Sequence, residues 1–158
     1  MSIEKVKEYF KQFGIEERIQ EFKVSSATVE LAAVALGCNP ERIAKSLSFM
    51  LNDKPIIIVV AGNIKISNSK FKQLFQTKAK MLTFEEAENL IGHKVGGVCP
   101  FAINDGVDVY LDISLKAYET VFPACGSNNS AIELSIPELE KYSNYKSWVD
   151  VGQEKNCQ

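Results

Sequence analysis

Histidine is almost absent from the sequence: among 158 residues there is one, His93. A Ser–His or Cys–His catalytic pair therefore has a single candidate base. The four cysteines, Cys38, Cys99, Cys125 and Cys157, are scattered with no CxxC pair, so neither a zinc site nor a disulfide framework is indicated. No other metal-ligating cluster stands out, and no carboxylate pair has acid/base spacing. Long apolar runs are missing too. The longest, Pro55 to Ala61, is strand-sized, whereas a membrane-spanning helix needs about 20 apolar residues. The first residues, Met1-Ser2-Ile3-Glu4-Lys5-Val6-Lys7, lack the apolar core of a signal peptide. No repeat, linker or low-complexity segment is visible. These absences lead to the expectation of a cytoplasmic protein with no membrane partner, no metal and no cofactor.

What is present is one domain's worth of chain, with 46% hydrophobic residues to bury as a core. The net charge of −2 hides an asymmetry. Residues 42–80 carry eight basic side chains and one acidic, Asp53, whereas residues 81–158 carry five basic and twelve acidic. The middle stretch is therefore +7 and the last −7. A localised basic stretch suits a phosphate backbone. A solvated lysine-rich surface fits the charges alone equally well.

Local patterns give the elements. Ile3, Val6, Phe10 and Phe13 fall at helical spacing before Gly14, which predicts an amphipathic helix over 2–13. Glu21 to Val24 reads as extended. Thr28 is placed to cap a helix from Val29 to Leu36, with Glu30 in its first turn and Gly37 ending it. Asn39 and Pro40 open a short helical turn. Ala44 to Leu51 and Pro55 to Ala61 read as paired strands joined by Asn52-Asp53-Lys54. A turn at Gly62-Asn63, a helix over 68–75 and a short strand from Ala79 to Leu82 follow. Thr83-Phe84-Glu85-Glu86 is a capping box for a helix to Ile91, stopped by Gly92. Asn104-Asp105-Gly106 reads as a hairpin-type turn before a strand from Val107 to Leu111. A helical turn over 114–118 comes next, then strands Glu119 to Ala124 and Ala131 to Leu134. Ser135-Ile136-Pro137-Glu138 opens a last helix to about Tyr142. Residues 143–158, polar apart from Trp148, are expected to form a loosely held tail. Strands and helices in this irregular order point to one α+β domain over 1–158, a mixed sheet flanked by helices.

Two stretches carry chemistry. In Val95-Gly96-Gly97-Val98-Cys99-Pro100-Phe101, adjacent glycines let a backbone approach a ligand closely, and Pro100 stiffens the loop. Such a loop can hold a carbonyl oxygen as it becomes an oxyanion. A tight bend before a strand is the plainer reading. In Pro40-Glu41-Arg42-Ile43-Ala44-Lys45-Ser46-Leu47, a lysine interrupts an apolar strand. Strand alternation puts Lys45 on one face with Leu47, Phe49 and Leu51. A lysine sits there when its stem packs and its amine reaches a pocket rim, or when it snorkels to solvent.

Together with Thr28-Val29-Glu30-Leu31-Ala32-Ala33, Val60-Ala61-Gly62, Val109-Tyr110-Leu111-Asp112 and Gly126-Ser127, these stretches resemble the YbaK/ProX family. That family is the aminoacyl-tRNA deacylase domain also found inserted in bacterial prolyl-tRNA synthetases. The resemblance runs from about Phe22 to about Tyr142. It implies a key active-site role for Lys45. It also implies that Gly96, Gly97, Val98, Cys99 and Pro100 form the family's GxxxP loop, positioning an aminoacyl ester through backbone groups. Gly126 and Ser127 fall at a loop lining the same pocket, and Thr28 and Phe49 are assigned to substrate binding with them. Ser127 or Asn128 would hydrogen-bond the substrate, unless both only satisfy their own turn. Cys99 is a nucleophile only if something lowers its pKa. A small side chain filling space is the preferred reading, and His93 is expected at the surface. Lys70 and Lys72 are assigned to tRNA.

The implied activity is trans-editing: metal-free hydrolysis of a mischarged aminoacyl-tRNA, Ala- or Cys-tRNA(Pro) foremost, at the acceptor end. A synthetase such as prolyl-tRNA synthetase is an implied partner, and DNA is not. The alternatives are a non-catalytic module binding aminoacyl-tRNA or a synthetase, and a Cys99-dependent small esterase.

Overall fold

The computed structural model describes residues 2–155. Its centre is an antiparallel pair, β2 (Ile43–Leu51) and β3 (Lys54–Ala61), in register from Ala44↔Ala61 to Leu51↔Lys54. The connection is tight because Asn52 and Asp53 both take positive φ, 50° and 65°, which Asn and Asp tolerate better than most residues. From Ile56 to Ala61 β3 is buried on both faces, and it has a hydrogen-bonded neighbour on each edge. One neighbour is β2. The other is β5 (Asp108–Asp112), parallel to it.

The sheet extends past β5 to β9 (Ser147–Val149), again parallel. On the other side β2 pairs in parallel with β6 (Thr120–Pro123), and only at Ile43 and Ala44. Beyond β6 lies β8 (Leu134–Ser135), antiparallel. The six strands form one mixed sheet in the order β8-β6-β2-β3-β5-β9, the α+β architecture expected. Two small ribbons flank it. In one, β1 (Gln20–Glu21) pairs with β7 (Ser130–Ala131). In the other, β4 (Ile64–Ile66) pairs with β10 (Gly152–Glu154).

The helices sit where their caps and apolar faces direct them. In α1 (Ser2–Lys11), Val6 and Phe10 are fully buried. Phe10 packs 4.8 Å from Phe101 and 5.7 Å from Tyr142, ring to ring. Thr28 caps α2 (Val29–Leu36) by accepting from Leu31 N–H at 3.1 Å, and Gly37 closes it at φ 68°. In α3 (Asn68–Phe75), Phe71 is buried against Phe49, centroids 5.3 Å apart. The Thr83 capping box is complete, with Glu86 N–H to Thr83 Oγ1 at 3.1 Å and Thr83 N–H to Glu86 Oε1 at 2.8 Å. It opens α4 (Phe84–Glu86), which passes into a π-helical turn over Ala87–Ile91. Ser135 caps α5 (Ile136–Ser143) in the same way.

Four expectations are corrected. The tail is not loose over its described part: β9 and β10 are hydrogen-bonded strands, with Val149 and Val151 buried. The periodicity missed them because each is only three residues long. Residues 156–158, Cys157 included, lie outside the described residues. Residues 79–82 are not a strand but make a bridge, Phe49↔Met81. The Asn104-Asp105-Gly106 turn does not build a hairpin, since both neighbours of β5 are parallel to it. His93 is fully buried, not on the surface.

Candidate active site at the open edge of the central strand

β2 is covered on one edge by β3 along its whole length, but only in patches on the other. β6 takes Ile43 and Ala44. Further along, Met50 N–H donates to Lys80 O at 2.8 Å and Leu82 N–H to Ser48 O at 3.1 Å. Between these patches the edge at Lys45, Ser46 and Leu47 is open among the described residues, and a cavity of about 410 Å³ lies there. That volume is within the range of small-ligand sites. Its wall is built from the start of α2 (Thr28, Glu30), from β2, from Met81 and Phe84, from Val95, Gly96 and Val98, and from Lys155.

Lys45 lies in this wall. Its Nζ donates to Ile64 O at 2.7 Å, so the amine is held near a fixed carbonyl rather than trailing in solvent. Burial pulls the amine down to about 8, the neighbouring Lys155 ammonium adds to the shift, and Glu30 opposes it. Beside it, Ser46 Oγ is buried with no hydrogen-bond partner among the described residues. A buried hydroxyl left unpaired costs free energy, and this one belongs to a residue of the cavity wall.

The glycine loop is pinned from behind. Phe101 is fully buried in the aromatic cluster with Phe10. Gly96 faces the cavity with φ 98°, and Val98 lines it too. Gly97 does not. Its N–H is donated to Lys94 O at 3.0 Å. A Cβ there would stand 2.6 Å from both the carbonyl carbon of Gly126 and the nitrogen of Ser127. Its bareness thus serves another loop of the protein, and its amide is already used.

The other assigned residues divide. Thr28 lines the cavity, with its hydroxyl engaged as the α2 cap. Phe49, only 2% exposed, belongs to the core under α3 and not to the cavity wall. Pro100 is buried behind the loop. Gly126, at φ 93°, abuts the Ser2 carbonyl, which a Cβ would meet at 2.8 Å. Ser127 Oγ donates to Asn129 Oδ1 at 2.9 Å and is hydrogen-bonded to Ser130 Oγ at 2.7 Å, so it satisfies its own turn. Asn128 O accepts from Ser26 N–H at 2.6 Å, tying that turn to the segment before α2. Lys70 is paired with Asp150 Oδ1 at 3.0 Å and also donates to Gly152 O at 2.9 Å. Neither it nor Lys72 reaches the cavity.

Cys99 and His93 do meet, though not in the cavity. Cys99 Sγ is 3.5 Å from His93 Nε2, which donates to Phe101 O at 2.8 Å. Both side chains are fully buried. Burial pushes the Cys99 thiol up to about 12 and lowers the imidazole below its ordinary value. A thiol held protonated in the core is no nucleophile, so the esterase reading loses its reactive group.

Sequence reasoning gave no individual site role to Glu30, Ser46, Met81, Phe84, Val95 or Lys155, although Ser46 and Val95 lie in the two stretches it singled out. For Ser46 a signal existed: its hydroxyl follows Lys45 directly in a largely apolar strand. For the exposed apolar residues none did, because Phe84, 76% exposed, and Met81, 58% exposed, read as ordinary element ends.

Comparison with known proteins gives the family of the chain. The family described as "Aminoacyl-tRNA editing domain" matches residues 24–142. The chain belongs to that family. The protein YwhH of Bacillus subtilis (strain 168), itself uncharacterised, is 51% identical over 152 residues, covering 96% of this chain and 97% of that one. The proline–tRNA ligase of Geobacillus sp. (strain WCH70) is 30% identical over 102 residues, 64% of this chain but 18% of that longer protein. Among solved structures, a candidate trans-editing enzyme for prolyl tRNA synthetase superposes with a TM-score of 0.85 at 26% identity, covering 98% of each chain.

Proposed function

We propose that this chain is a trans-editing hydrolase that deacylates mischarged aminoacyl-tRNA, with alanine or cysteine on proline tRNA as the leading substrates. The observation that carries it is the cavity at the open edge of β2, where Lys45 is held at Ile64 O and Gly96 and Val98 are part of the same wall. The family match and the candidate prolyl-tRNA synthetase editing structure support the reading. A synthetase that cannot exclude a small amino acid on binding energy alone needs a second, hydrolytic sieve.

The ester sits between Lys45 and the loop. The Gly96 and Val98 amides are the candidate donors to the developing oxyanion, since the Gly97 amide is spent on Lys94 O. The Lys45 ammonium stabilises the same negative charge. Ser46 Oγ takes a hydrogen bond from, or gives one to, the aminoacyl group. The attacking group is water, the tRNA 2′-hydroxyl or, in a cysteinyl ester, the substrate's own thiol. The exposed ring of Phe84, with Met81 and Val95, forms an apolar lip on which the terminal base stacks. The partner is the acceptor end of tRNA, delivered in the cytoplasm alone or with prolyl-tRNA synthetase. Deacylation of tRNAs mischarged with alanine, cysteine, serine and threonine tests the proposal. Hydrolysis of none of them, with binding retained, makes the chain a non-catalytic module.

A further inference from the structure

Three charged residues line the cavity: Glu30, Lys45 and Lys155. Lys155 comes from the segment after β10, some 110 residues along the chain from Lys45. The two lysines are brought together by neighbouring carbonyls. The β10–β4 ribbon sets Glu154 opposite Ile64. One residue on, Lys155 N–H donates to Asn63 O at 3.0 Å, while Lys45 Nζ donates to Ile64 O at 2.7 Å. One amine is thus anchored by its side chain and the other by its own backbone, on consecutive residues. Lys155 itself is exposed, at the rim.

Two ammonium groups at one cavity repel each other, and this repulsion is part of what disfavours the charge on Lys45. Glu30, the third charged residue of the wall, opposes that repulsion. An ammonium has three donors, and Lys45 uses one on Ile64 O. Two lysine side chains converging on one cavity wall suit an anion at the rim.

We infer that Lys155 binds an anionic oxygen of the ligand jointly with Lys45, and that this anion is the phosphodiester preceding the terminal nucleoside of the tRNA. The inference rests on the proposed function and deepens it. The phosphate is fixed at the lysine pair, the base lies on the Phe84 lip, and the ester is directed inward to Lys45 and Gly96. Lys155 is a positioning residue. It carries no step of the hydrolysis; the phosphate it helps to hold offsets the repulsion between the two lysines, and so lets the Lys45 ammonium persist when substrate is bound.

The test has two arms, neither of which measures hydrolysis. In the first, the amine of Lys45 is titrated by NMR in the free protein. Its midpoint should rise in Lys155→Gln, because a neighbouring positive charge is gone, and an unchanged midpoint overturns the pairing. In the second, the dissociation constant is measured for a hydrolysis-resistant, amide-linked alanyl-adenosine with and without a 5′-phosphate. The phosphate should tighten binding to the unaltered protein by about tenfold, the worth of one charge-assisted contact. That gain should vanish in Lys155→Gln and survive in Lys155→Arg. An equal phosphate gain in Lys155→Gln, or none in the unaltered protein, overturns the inference. A chain that hydrolyses no mischarged tRNA yet shows both effects sinks the hydrolase reading and still supports the anion site.

Discussion

Gly97 and Gly126 touch backbone to backbone: a Cβ on Gly97 would stand 2.6 Å from the Gly126 carbonyl carbon. Atoms this close cannot be relieved by turning a side chain, so Gly97→Ala must move one of the two loops. We expect a loss of about 1–3 kcal/mol in stability, as for other overpacked sites, together with reduced deacylation because Gly96 and Val98 move with the loop. Gly96→Ala differs. Its Cβ would meet only Ala27 and Asn128 side chains at 3.5 Å, but φ 98° strains any residue other than glycine. It should lose activity per folded molecule with a smaller change in melting temperature. Melting curves and active-site-normalised rates on both variants check this; normal rates in both would make the loop scaffold only.

Lys45 should give the rate and the stability opposite responses to pH. Its folded-state pKa, about 8, lies below the ordinary lysine value. Between about 8 and 10.5 the unfolded chain therefore holds a proton that the folded chain has released. The lowered pKa costs stability below that window, and the cost is relieved as pH rises through it. The ammonium, however, is the form proposed to act, so kcat/KM should fall as pH rises past about 8. At pH 7 Lys45→Met should raise the melting temperature by about 2–4 °C, allowing for solvent screening, while deacylation collapses. A rate that climbs through the lysine midpoint would make the free amine a base instead.

The Cys99–His93 contact is structural. Cys99→Ala should leave turnover per folded molecule near normal and cost about 1–2 kcal/mol for the cavity it creates. Thiol alkylation of the native protein at pH 8 should be slow at this position. Loss of all activity together with an acyl-enzyme that can be isolated would restore a cysteine mechanism.

Much of the fold could be read from local chemistry, because caps and strand runs are local. Thr28, Thr83 and Ser135 each announced a helix, and the apolar run before Gly62 announced β3. The site was legible where one odd residue broke a pattern, as Lys45 did in β2. What stayed hidden depends on contacts between distant segments. Pro100 sits beside the glycine loop in sequence, yet the backbone turns it inward, and Ser127 turns back onto Asn129 and Ser130. His93 is polar and flanked by Gly92 and Lys94, yet packing against Phe101 buries it. Lys155 reaches the cavity only because three-residue strands, too short for any periodicity to show, zip the chain end onto β4.

The basic stretch from Arg42 to Lys80 offers a narrower prediction. Lys70 already spends its charge on Asp150, and an exposed pair of that kind contributes up to about 1 kcal/mol. Lys72→Glu is therefore the cleaner reversal. It should weaken tRNA binding and flatten its salt dependence, leaving hydrolysis of a short aminoacyl-RNA end unaffected. Unchanged affinity and salt slope would place the tRNA on another face.

Phe84→Ala should weaken binding of the terminal nucleoside by about 1–3 kcal/mol, the usual worth of one stacked base, with little change in melting temperature, since the ring is 76% exposed. Equal affinity in variant and parent would remove the ring from the site.

The most direct measurement is single-turnover hydrolysis of Ala-tRNA(Pro) and Cys-tRNA(Pro), with Pro-tRNA(Pro) as control, by the unaltered protein and by folded Lys45→Ala. The proposed site predicts rapid release of alanine or cysteine, sparing of proline, and a fall of roughly two to three powers of ten in Lys45→Ala, the scale of losing one group that stabilises an oxyanion. Release that is equally fast in Lys45→Ala would contradict a catalytic site at the open edge of β2.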